Sequence, residues 1–336
     1  MIEIDGCLGE GGGQMLRTAA AFSAVTGQPA RIFNIRANRK EQGLKAQHMG
    51  ALEAVARLCG GRVDGLAVGS REVTIHPAKI GSGKFEVDVG TAGSAALVLQ
   101  AILPVALSAD GEVEFEITGG TDVKWAPTMD YVEHVFLPII GKMGCEIDVR
   151  TARRGFYPEG GGKVEAKIKP WKNRRGIDLM DCGSVESIEV YSLASKPLQA
   201  QEVSERQVKG FIKEVSVNHE VGRLRREYVD SSSPGSCLLA VSVHQFSRKG
   251  SCMVGERGLR SEEIGRQVAS ALLKEIGSDA GLDLHMADQI IPYIALAGGR
   301  IRTSEITQHA RTNVDIVNRF GYDVRCDGDG TISARL

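Results

Sequence analysis

The chain has 336 residues, 42% apolar and 25% charged, with a formal charge of −1 at pH 7. That balance belongs to a globular protein of two or three domains, or to one repetitive domain with an insertion, and it excludes a globally basic nucleic-acid coat while leaving room for a local basic groove. No apolar run approaches the ~18 residues needed to cross a bilayer, no secretory signal opens the chain, and seven cysteines without a C-x-x-C pair argue against a disulfide framework and a zinc site, so a reducing cytoplasm and no membrane are expected.

The first element, Met1–Asp5, alternates as a half-buried strand does. It runs into Gly9-Glu10-Gly11-Gly12-Gly13-Gln14-Met15-Leu16-Arg17 and then a small-residue helix over 14–26. Strand, glycine loop and helix start together suit an anion. Glycines let backbone N–H groups approach a phosphate, and the helix N-terminus adds partial positive charge. Neither the Walker loop nor the dinucleotide fingerprint has this spacing. Glu10 would repel a bare phosphate, and makes sense if it holds a divalent cation that the phosphates share. A tight turn needing positive φ fits the same run equally well.

A strand at 30–36, a helix at 43–59 and strands at 62–66 and 71–76 complete a first unit. The order repeats: Phe85–Val89, a helix Ala92–Leu107, a strand Glu112–Ile117, a helix at 128–142 and strands at 145–150 and 163–168. The chain ends with a helix at 286–298, a strand at 300–304, a helix at 309–319 and two short strands. Gly60, Gly144 and Gly321 end equivalent helices. The first two are about 84 residues apart and the last two about 177, so a domain-sized surplus of ~90 residues is inserted. Within it, Gln201–Ser216 and Ser261–Ile276 read as helices and 186–192, 237–244 and 251–255 as strands, while Arg223-Leu224-Arg225-Arg226-Glu227 reads as a solvated face. The expected fold is α+β: three βαβαββ units, helices on one side of small sheets around a pseudo-threefold axis, with a smaller inserted α/β domain. Residues 1–182 hold units one and two and the start of unit three, 183–277 the insertion, and 278–336 the remainder of unit three.

Arg17, Arg36, Arg39, Lys40 and Lys45 surround the first glycine loop. Arg36 and Arg39, three apart outside a helix, suit bidentate phosphate recognition, and a solvated loop is the plain alternative. Gln47 and His48 follow on the next helix and could face the same loop, although His48 taken alone reads as a surface residue. In the second unit, Gly90-Thr91-Ala92-Gly93-Ser94 opens a helix in which Gln100 must find a partner. Gly119-Gly120-Thr121-Asp122, Trp125-Ala126-Pro127-Thr128 and Arg154–Gly162 suit either a site or structural turns. Near the end, His285-Met286-Ala287-Asp288-Gln289 heads an apolar helix, where Asp288 equally suits the helix dipole. His309 opens the next helix. A helix N-terminus disfavours imidazolium, as covalent catalysis by a neutral histidine requires, although a lone histidine at a helix start is usually only a capping or surface residue.

Taken together, the motifs GEGGGQMLR (9–17), IRANR (35–39), GTAGSAALVLQ (90–100), GGTD (119–122), RGFYPEGGG (154–162), ADQ (287–289) and HARTN (309–313) resemble the RNA 3′-terminal phosphate cyclases, in order and over the whole chain. The resemblance implies three units like the C-terminal domain of translation initiation factor three, with a smaller domain inserted before the last unit is complete. It implies an ATP-dependent ligase that makes 2′,3′-cyclic phosphate at RNA 3′ ends bearing a terminal phosphate, through a histidine–AMP intermediate and an RNA–phosphate–AMP anhydride. On that resemblance His309 is the adenylated histidine, and Glu10 the acid associated with Mg²⁺ or Mn²⁺. Arg17, Arg36 and Arg39 match the phosphate-binding region, while Gln47, Gln100, Pro127 and His285, Met286, Ala287, Asp288 and Gln289 match nucleotide-site positions. His285 replaces a tyrosine that some relatives place beside the adenine. The alternatives are a non-catalytic cyclase-like ribosome-assembly factor, whose representatives lack the histidine, and an enolpyruvyl transferase, which shares the repeated architecture.

Overall fold

The computed structural model describes residues 1–9, 11–90, 92–215 and 219–335, so Glu10, Thr91 and Ser216 lie outside the described residues. The chain is a mixed α+β protein of four-stranded sheets. The first sheet comes from β1 (Ile2–Asp5), α1 (Gly13–Thr26), β2 (Ala30–Phe33), α2 (Ala46–Leu58), β3 (Arg62–Asp64) and β4 (Val73–His76). Its order is β1-β2-β4-β3, with β1 and β2 parallel and the other pairs antiparallel.

The second sheet comes from β5 (Gly83–Asp88), α3 (Ala95–Ala106), β6 (Val113–Gly119), a broken helix, β7 (Ile147–Arg153) and β8 (Gly162–Ile168), in the order β5-β6-β8-β7. The broken helix is α4 (Met129–Tyr131), a π-helical turn Val132–Phe136 and α5 (Leu137–Gly141). Pro138 has no N–H for the His134 carbonyl four residues earlier, and Arg248 Nη1 donates to that oxygen at 3.4 Å instead.

After β9 (Ile177–Leu179) the chain builds β10 (Val185–Ser195), α6 (Val203–Val215), β11 (Val221–Val229), β12 (Ser236–His244), β13 (Arg248–Val254) and α7 (Ser261–Ile276). These form a sheet in the order β11-β10-β12-β13. The Arg223–Glu227 run, expected as a solvated face, is the exposed edge strand β11, paired parallel with β10. Charge on an edge discourages pairing with a further strand.

The chain then closes with α8 (Leu284–Ala297), β14 (Gly299–Arg302), α9 (Gln308–Arg319), β15 (Asp323–Cys326) and β16 (Thr331–Arg335), in a sheet ordered β15-β16-β14-β9. Read from β9, this strand order and its one parallel pair are those of the first two sheets.

One hydrophobic core runs through these three sheets and their helices. Alternation along β12 ties the other sheet to it: Leu239 and Val241 enter the main core, while Leu238 and Ala240 face a second core with Phe211 of α6 and Leu272 of α7. A strand buried on both faces reads as continuously apolar, as Cys237–Val241 does. The fit to the broken helix is close. A Cβ at Gly250 of β13 would sit 2.8 Å from both Tyr131 and Val135.

Candidate active site

Three chain segments meet at the ends of α1, α8 and α9. The glycine loop reaches positive φ at Gly9 and Gly11, both 57°. Side chains are excluded there: a Cβ at Gly9 would collide with the Thr312 hydroxyl, and one at Gly13 with the His48 ring. No side chain caps α1 at Gly12, whereas Thr307 caps α9 by accepting the Ala310 N–H at 3.1 Å.

His309 lies in the first turn of α9, with its Cε1 3.8 Å from the Cβ position of Gly12. Arg39 Nη2 stands 4.0 Å from that same point, and Arg17 Nη1 3.4 Å from the Cβ position of Gly13. The glycine loop is thus lined by two imidazoles, of His309 and His48, and by two guanidinium groups, of Arg39 and Arg17. Arg36 completes the set in a left-handed conformation with φ 57°, its Nε donating to the Glu41 carbonyl at 3.2 Å. Burial lowers its pKa, and repulsion by Arg39 lowers it further. Mutually repelling arginines are stabilised by an anion between them.

Arg17 enters the cleft from α1. Its Nη2 donates to Gln100 Oε1 at 3.2 Å, which gives the amide in apolar α3 its partner. Desolvation pushes Arg17 down to about 10, against the attraction of Asp288. Among the described residues its buried Nε–H has no hydrogen-bond acceptor, so the group still requires a ligand oxygen or water.

Asp288 accepts from the Gln14 side chain, and burial pushes its carboxyl up to about 6 against the pull of His309, His285 and Arg17. Its backbone explains Asn313. Pro292, inside α8, cannot donate to the Asp288 carbonyl four residues earlier. Asn313 Nδ2 donates to that oxygen at 2.8 Å, and Asn313 Oδ1 accepts from the Thr18 hydroxyl at 2.7 Å. This chain of bonds locks α1, α9 and α8 together beside His309.

His48, which taken alone reads as a surface residue, is 8% exposed. Its Nδ1 accepts the Lys45 N–H at 3.2 Å, which assigns the ring proton to Nε2, the atom against Gly13. Burial, then Arg17, Arg36 and Lys45, push it down to about 3, so the ring is neutral at pH 7. The α8 entrance is held by buried Asp283, which accepts from the His285 and Met286 N–H groups at 2.9 Å, the Gly250 N–H at 2.9 Å and the Tyr131 hydroxyl at 2.8 Å.

The structure therefore brings Arg17, Arg36, Arg39, Gln100, Asp288 and His309 together. His285 is exposed at the head of α8, and Gln289 Nε2 returns to its carbonyl at 2.8 Å. Met286 and Ala287 are fully buried, so their side chains serve the core. Gln47 and Pro127 are half-buried, and among the described residues no hydrogen bond or ion pair ties either to the cluster. Glu10 lies outside the described residues, among which no group of three or more His, Cys, Asp or Glu is placed to hold a metal.

Gln14, Thr18 and Asn313 went unassigned in the sequence. For Asn313 the usable signal was a proline four residues after Asp288. A larger groove, about 670 Å³, lies elsewhere, between β7 and the β10–β11 edge, with Arg154 buried in it against Asp122 at 3.2 Å and Asp130.

Fold and cleft define an α+β protein with a cationic site built where helix N-termini meet a glycine loop, a class suited to phosphate ligands. The family model described as RNA 3′-terminal phosphate cyclase matches residues 8–325. Proteins of that name are 43% identical in Pyrococcus furiosus over 320 residues (95% of this chain, 93% of that one) and 40% identical in Archaeoglobus fulgidus over 338 residues (99% of each). The chain belongs to the RNA 3′-terminal phosphate cyclase family. Among solved structures, the enolpyruvyl transferase NikO from Streptomyces tendae matches at 11% identity and a TM-score of 0.30, over 99% of this chain and 65% of that one, too slight a likeness to carry an argument. Among the described residues no helix is long and apolar enough to cross a membrane.

Proposed function

We propose that this chain converts an RNA 3′-terminal phosphate to a 2′,3′-cyclic phosphodiester at the expense of ATP. The observation that carries the reading is His309 at a helix N-terminus facing the Gly12 backbone, with Arg39 beside it and Arg17 offering an unsatisfied N–H. A ring nitrogen of His309 attacks the α-phosphorus of ATP, the bond from that phosphorus to the bridging oxygen breaks, and pyrophosphate leaves. Positive charge that develops on the imidazole is offset by the Asp288 carboxylate. Arg17, Arg36, Arg39 and the open N-terminus of α1 hold phosphate oxygens, and the half-buried Gln47 and Pro127, with His285 and Gln289, bound the nucleotide. An oxygen of the RNA 3′-phosphate then takes AMP, breaking the P–N bond. The vicinal 2′-hydroxyl attacks the 3′-phosphorus, loses its proton, and AMP departs. DNA ends lack that hydroxyl and are excluded.

A divalent cation, Mg²⁺ or Mn²⁺, would be held with Glu10 and would supply charge neutralisation for the leaving pyrophosphate. The identical strand orders support reading the chain as three copies of one βαβαββ unit, with 183–277 inserted behind the first strand of the third. The seven free thiols suit a reducing cytoplasm.

The test is self-adenylation with ATP labelled at the α-phosphate, beside His309→Ala. Acid-labile label on the wild type alone is expected. Absence of label on folded, ATP-binding protein refutes the mechanism and favours a binding-only assembly factor.

A further inference from the structure

Two large aromatic rings stand in solvent on neighbouring loops: Trp125 is 95% exposed and Tyr157 76%. Tryptophan is among the residues least often left so bare. Its backbone is also strained, for Trp125 adopts φ 67°, a left-handed conformation that a bulky side chain takes at a cost. No burial of the indole offsets that cost. The loops are tied together, as Gly155 O accepts the Thr121 N–H at 2.8 Å and Thr121 Oγ1 accepts the Gly155 N–H at 3.0 Å. Lys124 anchors the first loop to Glu256 at 2.7 Å.

The Trp125 loop leads directly into α4, whose Tyr131 hydroxyl donates to Asp283 at the head of α8. Chain continuity through α4 thus ties this loop to the head of α8. The second loop continues from β7, where the exposed Arg150 and Arg153 line the 670 Å³ groove.

We propose that Trp125, with Tyr157 on the adjoining loop, is a stacking platform for bases of the RNA strand just 5′ of the terminal phosphate. This rests on the cyclase reading above. A bare ring on a loop joined to the end of an arginine-bearing strand, offering no hydrogen-bond pattern to a base edge, suits a ligand with a flat face and a charged backbone, and it reads bases without regard to sequence. Arg150 and Arg153 supply charge for the next phosphates along the strand.

The chain holds two tryptophans, and Trp171 is buried with its Nε1–H donated to the Met143 carbonyl. Quenching of indole emission by ligand therefore reports Trp125. Titrating the protein with a 3′-phosphorylated oligoribonucleotide, without ATP, is expected to quench emission, whereas ATP alone does not. Trp125→Ala should raise KM for RNA about tenfold, as loss of one base stack does, with self-adenylation within twofold of wild type, and Trp125→Phe should restore most of the affinity. RNA that binds without quenching, an unchanged KM for RNA, or adenylation that falls in step with RNA binding overturns the proposal. Quenching requires neither ATP nor His309, so failure of the adenylation mechanism is read separately.

Discussion

Replacing Asn313 by leucine removes an amide that satisfies two buried groups. The Asp288 carbonyl cannot be reached by an N–H at position 292, and Asn313 Nδ2 fills that place at 2.8 Å. The Thr18 hydroxyl donates to the other end of the amide at 2.7 Å, and both residues are buried. Each buried group left unsatisfied costs about 1–3 kcal/mol, so Asn313→Leu should lower the unfolding free energy by roughly 2–6 kcal/mol. Urea unfolding reads this as a lower midpoint at unchanged m. Two rescues follow from the geometry. Thr18→Val deletes the stranded hydroxyl, and Pro292→Ala restores an N–H that can take the carbonyl. In double-mutant cycles each should recover about 1 kcal/mol or more beyond additivity. A single variant within about 0.5 kcal/mol of wild type, or additive doubles, refutes the reasoning.

Burial holds His48 near 3 when folded, so its neutral form contributes stability that is complete above the free value near 6.5 and is lost as pH falls toward 3. At pH 5 the loss is about 2 kcal/mol, and melting curves of His48→Asn should show a shallower decline between pH 7 and 5. Asp288 acts with the opposite sign. Its carboxyl, raised to about 6, costs stability above that pH and relieves the cost as pH falls toward 4. Asp288→Asn should therefore raise Tm at pH 8 while slowing adenylation at least tenfold, roughly the value of one electrostatic partner, and wild-type labelling should fade as pH drops through about 6. Labelling of Asp288→Asn at the wild-type rate would remove that carboxylate from the mechanism. Arg17→Lys keeps the charge but loses the planar fork that binds Gln100 and carries the unsatisfied Nε–H. A rise in KM for ATP of about tenfold is expected in labelling kinetics, and an unchanged KM would assign Arg17 to the fold alone.

The local grammar of the chain was legible residue by residue. Helices α1, α8 and α9 lie within two residues of where periodicity put them, because small and apolar residues recur with the helical period and terminal glycines stop the helices. The charged run Arg223–Glu227 was legible as a solvated face but not as a strand, since an edge strand with both signs of charge has the composition of a loop. For His48 the sequence left two readings, facing the glycine loop or the helix surface, because a histidine on a helix does not reveal whether a loop from another element will cover it.

By itself, then, the sequence determined the elements, the glycine loop and the family, all of which rest on residues close together in the chain. Only the tertiary structure decided what those residues face. It set Asn313 against the Asp288 carbonyl, Gln100 against Arg17, and His309 against Gly12, contacts separated by 25, 83 and about 300 positions. Partners so distant leave no local spacing to read, because they are chosen by how the shared core packs α1, α3, α8 and α9 together.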